Sequence, residues 1–448
     1  MFTLLWATLS SITTLAPSTP FFPPPNESSF VAHDHLAIQK SWGVYSPFHA
    51  IENYTPPPPG CEVTQVNILH RHGARLPSDS QTNDILPGVQ KLQSVPVYTD
   101  SRLDFLKAFD YTLDQELLVP LGAIQSFGSG KTAFGRYASL ISEGEPPFVR
   151  ASGMSRVVES ANNWTAGFAA ASRGIYTPRL DVILSEEGND TLQDHNCPNA
   201  AGSHREMREW LSIWSPSIVA RLNAWAPGAN LVEEDIHGLA MLCAFHTVSL
   251  VQYGYEDGSP LPFSPFCSLF TSDEFEAFEY SCDIDKYYST GYGGRLGRVQ
   301  GVGYVNELLA RLTHTPVQDH TSTNRTLDAD PATFPLNRTV YADFTHDSVL
   351  IAVFNTLGLY PTPKLSTKRP DPKRKWRAGE MMSFSTRMVV EKLVCEHRFS
   401  SQEDYIRIMV NEDVQPLEFC GAPIKGLGWA QEYARNNGEG DWEKCFVE

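Results

Sequence analysis

Between Asn67 and Pro77 the chain reads NILHRHGARLP. Two histidines and two arginines fall within six residues, directly behind the apolar, strand-like run CEVTQVNIL. Charges in such a place cost free energy unless something uses them. A phosphomonoester would use them all. Phosphoryl transfer needs cations aimed at the non-bridging oxygens, a nucleophile in line, and an acid for the departing oxygen. Arg71, Arg75 and Arg150 offer planar guanidinium forks for charge-assisted bonds. Gly73 lets the backbone come close to a ligand. His72 can attack phosphorus and form a covalent intermediate, and neighbouring guanidiniums disfavour its protonated form. A second pair, His346 and Asp347 in FTHDSVL, supplies another imidazole and a carboxyl group. Asp347 can protonate the leaving alkoxide and later assist water. His70 alternates away from its neighbours on a strand and reads as structural or supporting.

Three strands must position these groups. CEVTQVNIL precedes His72, PPFVRAS carries Arg150, and TVYADF precedes His346 and Asp347. The second and third are each followed by a helical pattern, MSRVVESANNWTAGFAAAS and DSVLIAVFNTLGL. Ligands of open α/β sheets gather at the carboxyl ends of strands. If the three strands are parallel neighbours, their polar groups meet in one crevice. Residues 102–140 and 203–255 read as mostly helical.

The chain has 448 residues, 42% hydrophobic and 19% charged, a globular composition long enough for one large domain or two. It lacks the apolar run of a spanning helix. A net charge of −17 argues against non-specific binding of nucleic acid or acidic membrane, so an anionic ligand requires strong local positive charge. Residues 1–17 read as a secretory signal peptide without the usual basic start, in preference to a merely disordered terminus; the proline-rich stretch 18–60 reads as an extended arm. The eight cysteines are scattered without a C-x-x-C pair. Sequons occur at Asn26, Asn53, Asn163, Asn189, Asn324 and Asn337, the second weakened by Pro56. Together these features point to a secreted glycoprotein.

RHGARLP with FTHDSVL resembles the histidine acid phosphatase family in its fungal-type phytase branch. FVRASGMSRVVES, DIHGLAMLCAFHTVS, QGVGYVNELLARLTHTPV and GDWEKCF resemble segments of that family in the same order, from about Trp42 to Phe446. The resemblance implies an α/β fold: a large α/β sandwich domain, its sheet mostly parallel with helices on both faces, plus a smaller, mainly α-helical domain. The active site lies in the cleft between them. Residues 61–448 would form the catalytic unit, the core spanning roughly 61–84, 145–195 and 300–448 and the helical part roughly 85–144 and 196–299. The nucleophile falls on His72, the phosphate clamp on Arg71, Arg75, Arg150 and His346, and the proton donor on Asp347. Implied bridges are Cys61–Cys395, Cys197–Cys445 and Cys243–Cys267, with Cys282–Cys420 as the remainder unless both are free. No metal or other cofactor is implied, and no ligand spacing for one is seen. The implied activity is secreted, monomeric hydrolysis of myo-inositol hexakisphosphate (phytate) through a phosphohistidine, with no nucleic-acid or membrane partner. The alternatives are a broad-specificity acid phosphatase and a non-catalytic phosphate-binding glycoprotein on the same fold.

FGSGKTAFGRY (127–137) imitates a phosphate loop, but Gln125 stands where a Walker motif needs glycine. GYGGRLGRVQGVGY (291–304) reads as a packed loop. Two departures concern substrate. SDSQTNDILPGVQ (78–90) has no basic residue where phytases are often lysine-rich, leaving Lys91 and Lys286 as candidate secondary phosphate contacts. KLSTKRPDPKRKWR (364–377) carries seven basic residues and reads either as a solvated loop or as a cleft-facing substitute for the missing lysines.

Overall fold

The computed structural model describes residues 35–142, 144–188, 190–256, 259–396, 403–417 and Cys445. The leader 1–17, Asn26, Asn189 and Cys420 lie outside them. Seven strands form one sheet in the order β3-β2-β4-β1-β5-β6-β7. They are β1 (Cys61–Arg71), β2 (Phe148–Ser152), β3 (Leu180–Leu184), β4 (Val340–Thr345), β5 (Arg387–Cys395), β6 (Glu403–Val410) and β7 (Asp413–Val414). The strands expected to carry the site, β2, β4 and β1, are parallel neighbours. The sheet as a whole is mixed rather than mostly parallel. β3, β2, β4 and β1 run parallel, whereas β5, β6 and β7 join antiparallel.

Alternation along the strands sorts side chains between two apolar layers. Val66, Ile68, Val149, Ala151, Ala342 and Phe344 face helices Pro120–Tyr137 and Ser155–Ala171. Leu69, Met388, Val390 and Ile408 face helices Val302–Thr313 and Asp347–Thr356. Helix Pro120–Tyr137 thus packs on the sheet, which moves it out of the helical part expected at 85–144. Glycines make the approach possible: a Cβ on Gly130 would come within 1.9 Å of the Trp164 carbonyl oxygen. The phosphate-loop lookalike is the interior of this helix, its backbone donors used up along the axis.

The helical part is built from Asp79–Gln93, His204–Trp214, Pro216–Trp225, Glu233–Ser249 and Ser272–Ser289. Its core includes Trp210, Trp214, Leu239, Phe245, Phe266 and Phe278. Residues 101–107 form only a short 3-10 helix, shorter than the helical run expected there.

Three expected disulfides are present: Cys61–Cys395 between β1 and β5, Cys197–Cys445, and Cys243–Cys267. The remaining candidate pair is Cys282 with Cys420, of which Cys420 lies outside the described residues. Cys282 is a free, buried thiol, enclosed so tightly that a Cβ on Gly43 would lie 2.6 Å from its sulfur. Of the described sequons, Asn53 and Asn337 are exposed. The Asn163 amide donates to the Glu159 carbonyl, and Asn324 caps a helix by accepting from Leu327 N.

Candidate active site

β1 ends at Arg71, and the chain turns at His72-Gly73 against the start of helix Pro120–Tyr137. The turn is tight: a Cβ on Gly73 would lie 2.5 Å from the Gly122 carbonyl oxygen. Gly73 N donates to Ser160 Oγ (2.9 Å), fixing the turn to helix Ser155–Ala171. His72 Nδ1 lies 2.9 Å from the Gly73 carbonyl. A carbonyl oxygen can only accept, so Nδ1 carries the proton and Nε2 keeps its lone pair. Burial, then the charges of Arg71, Arg156 and Arg75, push His72 well below the usual imidazole range. It is a neutral nitrogen base among cations.

The cations are held individually. Arg71 is buried, donating through Nη1 to the carbonyls of Val44 (2.6 Å) and Met382 and through Nη2 to Asp347 (3.0 Å). Arg75 donates through Nη1 to the Leu76 carbonyl (2.8 Å) and Gln81 Oε1 (2.9 Å). Burial, then the charges of Arg156 and Arg71, lower Arg75 to about 10. Arg156 pairs with Glu116 at 3.2 Å. Glu116 holds a left-handed backbone (φ 59°), a conformation strained for a side-chain-bearing residue. The Nε atoms of Arg71, Arg75 and Arg156 are buried and unpartnered, as Nδ1 of His346 is. Buried donors with free valence around this turn can be satisfied by the oxygens of a bound oxyanion.

His346 and Asp347 begin helix Asp347–Thr356 directly after β4. The rings of His72 and His346 lie 5.8 Å apart, and His346 Nε2 faces Glu186 Oε1 at 3.5 Å. Burial alone would raise Glu186, but hydrogen bonding to His346 and Ser152 holds it at about 2. Asp347 lies between Arg71 and Lys286, whose ammonium is 3.3 Å from Oδ1. Burial would raise Asp347; Lys286 and Arg71 outweigh it and hold the carboxyl well below the usual range.

The sequence pattern of the histidine phosphatase superfamily (branch 2) matches residues 62–411. The chain belongs to that superfamily. It is a phosphoric monoester hydrolase. Curated relatives include Phytase A of Aspergillus terreus, 36% identical with 91% of each chain covered. Phytase A of Penicillium oxalicum is 34% identical with 92% of each covered. Among solved structures, the phytase from D. castellii superposes with a TM-score of 0.71 at 22% identity, covering 91% of this chain and 86% of its own. The fold is therefore shared.

In this histidine phosphatase the structure brings together Arg71, His72, Arg75, His346, Asp347 and Lys286. It does not bring Arg150 or Lys91. Arg150 is buried in mid-strand, and β2 continues two residues beyond it to Ser152. Its register partner is Asp343, so it faces helix Val302–Thr313. There its guanidinium bonds Asp343 (2.8 Å) and Glu307 (2.6 Å), leaving it out of the clamp. Arg156, six residues on and second in helix Ser155–Ala171, is the arginine whose charge bears on His72 and Arg75 instead. The sequence signal was available: in FVRASGMSRVVES the second arginine, not the first, follows the strand end. Lys91 is paired with Asp235 at 2.6 Å in the helical part. His70, hydrogen-bonded to Ser129 and lowered to about 3 by burial and Arg387, is structural as read.

The two arginines separate cleanly by experiment. Arg156→Ala should lower kcat/KM about 10²–10³-fold while barely moving the urea midpoint. Arg150→Ala should leave Glu307 buried with only the Thr191 hydroxyl, while Asp343 keeps Arg311, and cost roughly 3–5 kcal/mol in the same unfolding measurement.

Proposed function

We propose that this chain is a secreted phytase, hydrolysing phosphomonoesters of myo-inositol hexakisphosphate through a covalent phosphohistidine. The observation carrying the mechanism is His72 Nε2, proton-free and ringed by Arg71, Arg75, Arg156 and His346, with Asp347 across the turn. The guanidiniums and His346 take the non-bridging oxygens, and Nε2 attacks phosphorus in line. As the P–N bond forms, the P–O ester bond breaks and Asp347 gives its proton to the departing alkoxide. The Asp347 carboxylate then takes a proton from water, which attacks phosphorus, breaks the P–N bond and returns neutral His72 and inorganic phosphate.

Asp347 enters this cycle ionised, because Lys286 and Arg71 hold it so. A bound phosphate places negative charge against those same cations and raises the carboxyl, so the productive complex carries one proton that the free site lacks. Activity should therefore have an acidic optimum. Lys286 lowers Asp347, so Lys286→Met should raise it, keep it protonated to higher pH and shift the alkaline limb of kcat upward. An unmoved limb in the kcat–pH profile would remove Lys286 from that role.

The phytate assignment is supported by the curated relatives, and secretion by the three disulfides. Among the described residues no helix is long and apolar enough to cross a membrane. A broad-specificity acid phosphatase is the second reading, and one observation favours it. Gln81 is uncharged beside Arg75, the 78–90 stretch brings no cation, and Lys91 is occupied elsewhere. Initial rates on inositol hexakisphosphate and 4-nitrophenyl phosphate, from about pH 3 to about pH 8, decide between them. A kcat/KM much higher for the inositol phosphate in acid is expected; comparable values establish the generalist.

A further inference from the structure

The basic segment 364–377 does not enter the cleft. Its ends are pinned by buried Leu365 and Trp376. The hydroxyls of Tyr280 and Tyr288 donate to the Ser366 and Leu365 carbonyls at 2.7 and 2.5 Å. The Trp376 indole donates to the Asp283 carbonyl at 3.2 Å. Arg374 is taken up by Asp283 at 2.6 Å. These anchors sit on helix Ser272–Ser289, the helix that also carries Lys286. At 3.6 residues per turn, Tyr280 lies about 120° round the axis from Lys286. The segment therefore covers a different flank from the one facing Asp347.

It is also stiff and open. Pro361, Pro363, Pro370 and Pro372 restrict the backbone, and the segment encloses a hollow of about 680 Å³. Lys364, Arg369, Lys373, Arg374 and Lys375 line it. Asp371 is the one acid among the lining residues, and its Oδ1 already accepts from Lys373 N at 2.9 Å. Lys368, Arg369, Lys373 and Lys375 are exposed and make no ion pair within the described residues. Cations clustered in this way repel one another, in a chain whose net charge of −17 offers carboxylates in abundance elsewhere. A preorganised, unneutralised cradle is suited to a ligand that brings its own negative charge.

We propose that this hollow is a second, non-catalytic anion site for a compact molecule bearing several phosphate groups. A lone phosphate would engage two or three of the donors; the volume and the spread of Lys364, Arg369, Lys373 and Lys375, with Arg374 held by Asp283 at the wall, fit a small polyanion. Naming that polyanion as an inositol polyphosphate rests on the function proposed above, whereas the cradle does not. The site would hold substrate or product on the enzyme surface without hydrolysing it.

The test uses full-length His72→Ala protein, so that no turnover intervenes, and myo-inositol hexakissulfate as the probe in titration calorimetry. Two molecules should bind per chain. Arg369→Glu/Lys373→Glu/Lys375→Glu in the same background should abolish one and leave the cleft event. The lost event should weaken strongly between about 50 mM and about 500 mM salt, as exposed charges require. In the otherwise native enzyme the triple variant should turn over 4-nitrophenyl phosphate at the original rate. A single binding event, or two that survive the triple substitution, overturns the proposal. Failure of the phytase reading would instead appear as an absent rate preference with two-site binding intact.

Discussion

Replacing His72 by alanine should lower kcat toward every phosphomonoester by about 10³-fold or more, with the chain still folded and still able to bind inorganic phosphate. The second imidazole of the cleft is not placed to take over the phosphoryl group. The His346 ring stands 5.8 Å away with Nε2 turned to Glu186. The clamp does not depend on the imidazole, because Arg71, Arg75 and Arg156 are each anchored by their own partners. Phosphate should therefore still protect the variant against thermal unfolding. In the parent enzyme, rapid quench into alkali during turnover of a labelled ester should trap label on the chain; in the variant it should not. Label trapped on His72→Ala protein would mean the nucleophile has been misassigned. Full retention of activity would return the chain to the binding-protein reading.

Asp347→Asn should produce a loss that depends on the leaving group. An inositol alkoxide is a poor leaving group and needs a proton as the P–O bond breaks, so kcat should fall about 10²–10⁴-fold. Nitrophenolate departs without one, so hydrolysis of 4-nitrophenyl phosphate should lose far less in its first step. The ratio of the two rates isolates proton donation from any general damage to the site. The amide also removes the charge that balances Lys286 and Arg71. Phosphate should consequently bind the variant at least as tightly, which a merely misfolded cleft would not do. Equal losses on both substrates would assign Asp347 to positioning Arg71 instead.

The parts of this site that were legible in the sequence are those fixed by local chain direction. His72, His346 and Asp347 follow strand ends, and strand-like runs stopped by R-H-G or T-H-D show where those ends fall. The parallel adjacency of β2, β4 and β1 then made the groups converge. Arg150 failed because charge type alone does not give position: it lies two residues short of the strand end, within the sheet, where Asp343 and Glu307 take its guanidinium. The antiparallel half of the sheet and the placement of helix Pro120–Tyr137 were not legible for a related reason. Both depend on partners distant in sequence, β1 with β5 across the chain and Gly130 against Trp164 on another helix, through contacts that leave no local pattern. Lys286 stood out only as a lysine; its approach to Asp347 is set by how the helical part docks on the sheet.

Gln81 performs two tasks with one side chain. Its Oε1 accepts from Ser78 N, closing the start of helix Asp79–Gln93, and from Arg75, while its Nε2 reaches the Tyr45 hydroxyl. A mutation to lysine would add a cation at the mouth of the cleft, the direct route to stronger grip on a crowded polyanion. The same mutation would remove the acceptor that starts the helix, and set two like charges side by side where Arg75 now has a neutral partner. A cation gained at residue 81 therefore comes with the loss of bonds that the helix start and Arg75 now use, whereas a cation added on the exposed segment 364–377 disturbs no such bond.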